Sequence, residues 1–387
     1  MHFELSREHQ MLQKAVREFA DKQIAPYADQ WDADNYLPVN EAIKPMAELG
    51  FIGTVIPEEY GGEDAGWMAA AIITEEIARA SSSLRVQINL IGIGCAYPIY
   101  LYGTEAAKNN YVPKLCAGDL LGAFAITEPD AGSDVLSMQT VAEDKGDHFV
   151  LNGSKTWISN AHQCDVAVIY CYTDPDAGSK GLSALIVEPK NFPGVTTSDI
   201  EKLGSHSSPT GEIFFNNTPV PKENLLGKPG DGANIVFSSL ANTRLSAAAG
   251  AVGCARACYE MALKYCNERV QFGQKIGKFQ MNQELIAKMA TDIEAARLLV
   301  YKAAWQKDQG NLNNGYEVAQ AKYMAGEVAM RCAESSMRIL GAYGYSTEYP
   351  LARYYRDIPT YVIVEGSANI CKHIIANDRL GYRKANR

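Results

Sequence analysis

The chain has 387 residues, of which 47% are hydrophobic and 21% are charged, so it can bury a sizeable core and is not disordered. Its 36 Lys and Arg stand against 45 Asp and Glu, and no segment is densely basic, which argues against a nucleic-acid partner. The longest apolar stretch, residues 88–99, is broken by Gly, Asn, Cys and Pro. Because a membrane helix needs roughly 20 apolar residues, we expect no membrane association.

The first residues, MHFELSREHQ, contain no apolar signal core and are too acidic for a transit peptide. Nine cysteines are an odd number, and none forms a C-x-x-C pair. This pattern predicts reduced, mostly buried thiols in a cytoplasmic protein. The six histidines are scattered without metal-ligand spacing, so no metal site is expected. No G-x-G-x-x-G fingerprint is complete, which argues against a doubly wound nicotinamide enzyme.

Local patterns predict three domains in chain order. In residues 1–121, apolar side chains recur every three or four positions between Leu5 and Phe19, and a second helical stretch covers 67–80. Residues 122–232 contain short β-rich runs at 149–151, 166–172, 182–187 and 213–215, with turn signals and no helices between them. Residues 233–387 return to helix, at 285–300 and at 318–340, with 310–315 as the connection. The fold class is therefore α+β, with an antiparallel β middle domain between helical domains.

Two segments carry unusual chemistry. Residues 124–134 begin as a strand and end in a Gly-Ser-Asp turn, whose backbone N–H groups could face an anion; a plain strand and turn explains the pattern equally well. In residues 360–369, Glu365 lies inside an apolar run and precedes Gly366. Such a carboxylate is a candidate general base. A glutamate that points outward from the end of a helix or loop explains the same pattern, and composition alone favours that explanation.

Together these segments resemble the acyl-CoA dehydrogenases, which are flavoenzymes with a helical N-domain, a β middle domain and a four-helix-bundle C-domain. The resemblance covers essentially the whole chain. It depends on five motifs in the family's order, namely residues 125–137, Trp157-Ile158-Ser159, residues 269–273, residues 341–357 with Pro350, Arg353 and Arg356, and Glu365-Gly366-Ser367.

The resemblance implies FAD as cofactor, bound between the middle and C-terminal domains. Arg269, Gln271 and Phe272 match positions that reach the FAD of a neighbouring subunit. The resemblance implies a homotetramer built as a dimer of dimers, with which these positions are consistent. Arg338 and Ala342 stand where the family commonly has Gln and Gly, so the contact of Arg338 with the cofactor is carried over only weakly. The positions implied to bind the cofactor are Ala125, Ile126, Thr127, Ser133, Trp157, Ser159, Arg269, Gln271, Phe272, Arg338, Ser367 and Asn369.

The resemblance also implies how the thioester is bound and oxidised. Arg244 matches an arginine near the thioester and pantetheine, and Ser133 a residue of the acyl-CoA surface. Where the family often has an Asp three residues before Arg244, this chain has Ala241. Some members place the base where this chain has Thr243, which cannot serve, so Glu365 is the implied base. It would take the α-proton while hydride leaves the β-carbon for flavin N5, with an electron-transfer flavoprotein as the acceptor.

Arg85 bears on the choice of acyl group. It matches an arginine that glutaryl-CoA dehydrogenases direct at the distal carboxylate of the substrate. Decarboxylating members tend to have Tyr immediately before the base, and here that residue is Val364. The resemblance therefore favours oxidation of glutaryl-CoA to glutaconyl-CoA without decarboxylation. The alternative is that Arg85 lies on the surface, or is inherited from a relative with another substrate.

Other readings of the acyl pocket stay open. The apolar residues 88–93 would suit an alicyclic thioester such as cyclohexanecarboxyl-CoA, or a short acyl chain, equally well. The alicyclic case would point to the anaerobic breakdown of aromatic acids. An acyl-CoA oxidase is less expected, because such relatives are usually longer. An inactive acyl-CoA-binding relative would be expected to lose Glu365, Ser159 or Trp157, and all three are present.

Overall fold

The computed structural model describes residues 4–382 and places a β-rich segment between two helical ones, which confirms the predicted element order and the α+β class. Residues 1–3 and 383–387, at the outer ends of the two predicted helical domains, lie outside the described part. A π-helical segment, Ile88–Ala96, joins α5 to α6. The N-terminal helices are α1 (Arg7–Phe19), α2 (Ala28–Ala33), α3 (Lys44–Glu48), α4 (Gly66–Ala80), α5 (Ser82–Gln87), α6 (Tyr97–Tyr102) and α7 (Glu105–Cys116).

The middle segment forms one sheet, in which the strands follow the order β6-β7-β3-β2-β4-β5-β8 and β1 pairs with β4. The predicted antiparallel sheet is wrong in one respect, because β1 runs parallel to β4 and β2 meets β4 in parallel. Parallel neighbours need a long connection, which residues 126–165 provide between β1 and β4. The strands are β1 (Gly122–Ala125), β2 (Val141–Asp144), β3 (His148–Ser159), β4 (Val166–Tyr172), β5 (Leu182–Val187), β6 (Val195–Asp199), β7 (Thr210–Pro221) and β8 (Leu225–Leu226).

Strand β4 is buried along its whole length, which explains its continuous apolar sequence. Val168 and Tyr170 face the large core that the sheet shares with the helices. The alternate residues, Ala167 and Ile169, face a second core inside the sheet domain. One side of this sheet is therefore fixed against the helical segments.

The C-terminal segment is a bundle in which α8, α9 and α14 pack around α10. The helices predicted at 285–300 and 318–340 are confirmed as parts of α9 and α10. A short hairpin of β9 (Val270–Gln271) and β10 (Gln274–Lys275) follows α8. The helices are α8 (Gly232–Glu268), α9 (Gln280–Asp308), α10 (Gly315–Leu340), α11 (Ala342–Tyr345), α12 (Leu351–Asp357), α13 (Thr360–Ile363) and α14 (Ala368–Leu380).

Buried ion pairs join the N-terminal helix α4 to the bundle. Glu75 accepts hydrogen bonds from Arg256 of α8 at 2.6 Å and from Arg297 of α9 at 3.0 Å. The next residue, Glu76, accepts from the same Arg256 at 2.7 Å and from Arg17 of α1 at 3.0 Å. Both glutamates are fully buried, so these ion pairs join four helices, α1, α4, α8 and α9.

Helix α12 connects all three segments. Its Arg353 donates to Asp29 of α2 at 2.7 Å, and its Arg356 donates to Asp32. Its last residue, Asp357, accepts a hydrogen bond from the backbone N–H of Ser205 in the middle segment. The relative placement of the three segments is therefore fixed by polar contacts at one helix.

All nine cysteines are buried and free, as the sequence predicted. Within residues 4–382, no helix is both long enough and apolar enough to cross a membrane.

Candidate active site

Glu365 lies in a tight turn between α13 and α14. Its φ is +57°, and that of Gly366 is +81°, so two consecutive residues adopt the left-handed conformation. For a residue with a side chain this conformation costs on the order of 1 kcal/mol or more, and it is common at active sites. Gly366 must lack a side chain, because a Cβ there would lie 2.9 Å from the Arg244 Nε atom. Ser367 then caps α14 by accepting a hydrogen bond from the N–H of Ile370.

Two hydrogen-bond donors hold the Glu365 carboxylate. Asn89 of the π-helical segment donates from Nδ2 to Oε1 at 3.0 Å, and Thr243 of α8 donates from Oγ1 to Oε2 at 2.5 Å. Because each oxygen has its own donor, the plane of the carboxylate is fixed. Thr243, excluded as a base from the sequence, thus orients the residue predicted to be the base.

Two cations, the half-buried Arg244 and the buried Lys322, bind the backbone of the same turn. Arg244 donates from Nε to the Glu365 carbonyl at 2.9 Å, and Lys322 of α10 donates from Nζ to the Gly366 carbonyl at 2.6 Å. Burial lowers the pKa of Arg244, and it lowers the pKa of Lys322 to about 8. Arg244 was predicted to lie near the thioester, and the structure places it against the turn that carries Glu365.

Arg85 is a buried cation without a counter-ion in the described part of the chain. Only 3% of its surface is exposed, and its Nε has no hydrogen-bond partner. The guanidinium carbon lies 4.9 Å from the centre of the Tyr361 ring. Gly250 of α8 makes room for it, since a Cβ there would come within 2.8 Å of Arg85 Nε. Arg85 is therefore not a surface residue.

Arg85 and Glu365 each contact a neighbour of the other residue in the sequence. Asn89 follows Arg85 by four residues, and Glu365 follows Tyr361 by four. Arg85 stacks on Tyr361, and Asn89 binds Glu365. These contacts place both residues where α5 and the π-helical segment meet α13 and the turn that follows it.

The predicted flavin-binding residues of the middle segment come together at one end of the sheet. The N–H of Thr156 donates to the Thr127 carbonyl at 2.9 Å, which brings Trp157 beside Thr127. Trp157 is 59% exposed and left-handed, so it is not a core aromatic residue. The Ser159 hydroxyl lies 3.4 Å from Thr210 Oγ1. An exposed indole two residues before the Ser159 hydroxyl fits the ring system and polar edge of a flavin.

A buried ion pair that the sequence did not reveal supports this surface. Lys155 donates to Glu128 at 2.7 Å and to the carbonyl of Ile126 at 3.0 Å. Glu128 in turn accepts from the N–H groups of Gln139 and Thr140. These contacts fix the backbone of the segment predicted to touch the flavin, in which Ala125 and Ile126 are buried.

The remaining predicted residues are not gathered around Glu365. Arg269, Gln271, Phe272 and Arg338 are exposed on the C-terminal segment, and Phe272 is 93% exposed. Residues that reach a neighbouring subunit must lie on the surface, so this placement agrees with their expected role. Ser133 is also exposed, and Asn369 is exposed in the first turn of α14.

Sequence reasoning missed Asn89, Lys322 and Tyr361. Asn89 could have been noticed as the polar residue one helical turn after Arg85, and Lys322 as a charge between the small apolar residues of α10. No local signal named their partners, because Lys322 and Gly366 are 44 positions apart and Asn89 and Glu365 are 276 apart.

Family models match nearly the whole chain. They are the acyl-CoA dehydrogenase N-terminal domain at residues 6–119, the middle domain at 123–218 and the C-terminal domain at 230–380. The chain belongs to the acyl-CoA dehydrogenase family. Acyl-CoA dehydrogenases are FAD-dependent, and this member is an oxidoreductase that desaturates an acyl-CoA thioester.

Relatives of this acyl-CoA dehydrogenase include a glutaryl-CoA dehydrogenase of Desulfococcus multivorans, 68% identical over 389 residues, with 100% of both chains covered. A solved glutaryl-coenzyme A dehydrogenase in complex with glutaryl-CoA is 68% identical, with a TM-score of 0.98, and the match covers 100% of this chain and 98% of that one. A chain from a structure described as an electron transferring flavoprotein of Acidaminococcus fermentans is 39% identical, with a TM-score of 0.95; 98% of this chain and 100% of that one are covered.

Proposed function

We propose that this acyl-CoA dehydrogenase oxidises glutaryl-CoA to glutaconyl-CoA and leaves the distal carboxylate in place. The observation that carries the proposal is Arg85, a buried guanidinium with no counter-ion within residues 4–382. Burying an unpaired charge costs several kcal/mol, and a substrate carboxylate would offset that cost with a bidentate ion pair. The glutaryl-CoA dehydrogenase of Desulfococcus multivorans supports the same substrate by its similarity.

The contacts that join Arg85 to Glu365 through Tyr361 and Asn89 support a short dicarboxylyl group. The α-carbon of a glutaryl thioester is separated from its distal carboxylate by only two methylene groups. A substrate of this length can present its α-proton to Glu365 and its carboxylate to Arg85 at once. The buried apolar residues 88, 90, 91 and 93 would enclose the methylenes.

The proposed base is Glu365, oriented by Asn89 and Thr243. Its carboxylate takes the α-proton, and the electron pair of that C–H bond forms the double bond as the β-carbon loses hydride. Bound FAD supplies the two-electron acceptor for that hydride. Arg244 and Lys322 hold the turn, so the carboxylate does not have to reorganise during proton transfer.

Retention of the carboxylate follows from the side chain before the base. Val364 offers no hydroxyl group beside Glu365, and the ion pair with Arg85 would stabilise the substrate carboxylate as an anion. Loss of CO₂ moves the negative charge from the carboxylate to the carbon chain, so an ion pair that stabilises the carboxylate opposes decarboxylation.

The remaining assignments belong to the same proposal. FAD would lie against the middle-segment residues Thr127, Trp157 and Ser159 and the start of α14. An electron-transfer flavoprotein is the proposed acceptor, with support from the similarity to the Acidaminococcus chain. A homotetramer would use the exposed residues 269–272 and Arg338 at the cofactor of a neighbouring subunit. A cytoplasmic location is proposed from the free cysteines.

The test is anaerobic bleaching of the flavin in the purified protein by glutaryl-, butyryl- and cyclohexanecarboxyl-CoA, with mass spectrometry of the products. We expect glutaryl-CoA to bleach fastest and to give glutaconyl-CoA. In R85M, kcat/KM for glutaryl-CoA should fall about 10- to 100-fold, as expected for the loss of hydrogen bonds to a charged group. The kcat/KM for butyryl-CoA should rise, because the variant has no cation that a neutral acyl chain would leave unpaired. R85K keeps the charge but not the planar guanidinium, so its kcat/KM for glutaryl-CoA should lie between those of the wild type and R85M.

Each part of the proposal can fail separately. E365Q should keep its flavin but lose bleaching by every thioester; residual bleaching near the wild-type rate would remove Glu365 as the base. Crotonyl-CoA with CO₂ as the product would overturn retention of the carboxylate. Bleaching by cyclohexanecarboxyl-CoA alone, unaffected by R85M, would assign the pocket to an alicyclic substrate.

A further inference from the structure

The turn that carries Glu365 is held by a lysine from helix α10 of the C-terminal bundle. Lys322 lies in the N-terminal third of α10, with 1% of its surface exposed. Its Nζ donates to the Gly366 carbonyl at 2.6 Å. The preceding carbonyl, that of Glu365, accepts from Arg244 at 2.9 Å. Two consecutive carbonyls of a left-handed turn are thus each bound by a cation, of which Lys322 is buried and Arg244 is half-buried.

We propose that Lys322 is a positioning residue for proton abstraction, acting through the Gly366 carbonyl to keep Glu365 in the conformation that directs its carboxylate at the substrate. The inference goes beyond the proposed function but rests on Glu365 as the base. Lys322 itself touches neither the carboxylate nor, in this arrangement, the reacting carbons. Its effect is therefore on geometry and on the local electric field.

Packing alone does not account for a lysine at this position. An apolar side chain such as methionine would fill similar space without the cost of burying an amine, which is several kcal/mol when the amine has no partner. The ammonium finds its partner in a carbonyl of the strained turn. Both Glu365 and Gly366 have positive φ, and the hydrogen bond from Lys322 holds this turn in the conformation in which Asn89 and Thr243 reach the carboxylate.

The groups around Lys322 make its charge sensitive to pH. It faces Glu365 in the turn, Arg244 on α8, Arg85 on α5 and Cys371 on α14. Burial is the largest influence and lowers the pKa of Lys322 to about 8, with Arg244 and Arg85 acting in the same direction. Above that pH the neutral amine is a weaker donor, and the positive charge beside Glu365 is reduced.

The experiment measures the base without the redox step. The flavin of the holoenzyme is first reduced with dithionite, so that it cannot accept hydride, and the protein is mixed with glutaryl-CoA or butyryl-CoA in D₂O. Exchange of the α-hydrogen for deuterium is followed by mass spectrometry in the wild type, K322M, K322R and E365Q, from pH 6 to 9.5.

In K322M we expect exchange at pH 7 to slow about 10- to 100-fold, the range for loss of one charge-assisted hydrogen bond. In the wild type the rate should fall as pH rises through about 8, and this alkaline fall should be absent in K322M. K322R keeps a cation across the range, so it should restore part of the rate and show no fall near pH 8.

An exchange rate in K322M within twofold of wild type, with the same alkaline fall, would overturn the proposal. If K322M does not keep its flavin, K322R provides the test. An exchange rate that still falls near pH 8 in K322R would show that Lys322 does not cause the fall. Exchange that persists in E365Q contradicts the proposed base and, with it, the role of Lys322, whereas a normal rate in K322M alone contradicts only the role of Lys322. Exchange with butyryl-CoA alone contradicts the substrate and leaves the role of Lys322 standing.

Discussion

At the scale of single residues, the Glu365 carboxylate depends on donors that come from distant parts of the chain. Asn89 precedes it by 276 positions and Thr243 by 122. The family motif was enough to predict Glu365 as the base. It could not predict the donors, because an Asn in an apolar segment and a Thr in a helix have many equally good local explanations.

Removal of the Thr243 donor should slow the reaction without changing the fold. T243V keeps the shape of the side chain, so anaerobic flavin reduction should slow about 10-fold, as expected for one hydrogen bond to a charged group. The control is S246A in the same helix, since the Ser246 hydroxyl is buried and has no partner. S246A should reduce the flavin at the wild-type rate; an equal loss in both variants would mean that α8 tolerates no change there.

At the scale of elements, the local sequence pattern predicted the positions of individual strands. The runs at 166–172 and 182–187 are β4 and β5, because each is a continuous apolar segment bounded by turn residues. The parallel pairing of β1 with β4 could not be predicted in this way, since it depends on where β1 arrives from the N-terminal helices. The ion pairs of α4 were hidden for the same reason, as Glu75 and Arg256 are 181 positions apart.

Those ion pairs should contribute strongly to stability. R256M leaves two fully buried glutamates, Glu75 and Glu76, with fewer partners, and loss of one member of a buried pair costs about 3–5 kcal/mol. Arg338 is the matched control, because its pair with Glu334 is exposed and R338M should change the unfolding free energy by less than about 1 kcal/mol. Denaturant unfolding of both variants checks this, and similar values would contradict the structural importance of the α4 network.

At the scale of the whole molecule, the contacts of α12 couple the assembly of the three segments to pH. Asp357 is fully buried, and burial raises its pKa from 3.8 to about 6, against the opposing effect of Arg353. A carboxyl whose pKa is raised by folding contributes stability below pH 3.8 that is lost as pH rises through 6. Over that interval the loss amounts to about 3 kcal/mol.

D357N removes this titration while it keeps an acceptor for the Ser205 N–H. The melting temperature of the variant relative to wild type should therefore be higher at pH 7 than at pH 5. Melting curves of both proteins at the two pH values measure the difference. A difference that is the same at both pH values would mean that Asp357 does not titrate in this range.

The lack of a counter-ion for Arg85 within residues 4–382 has a consequence for which acyl groups bind poorly. A tail that ends in a methyl group or a ring could fit among the apolar residues nearby, yet it would seal the guanidinium away from water with nothing to neutralise it. The free-energy cost of this unpaired cation opposes binding of every neutral acyl chain, however well the chain fits the apolar pocket. In such a pocket, specificity depends less on the gain from binding a carboxylate than on the cost of leaving the Arg85 cation unpaired. This single side chain would therefore exclude neutral acyl groups.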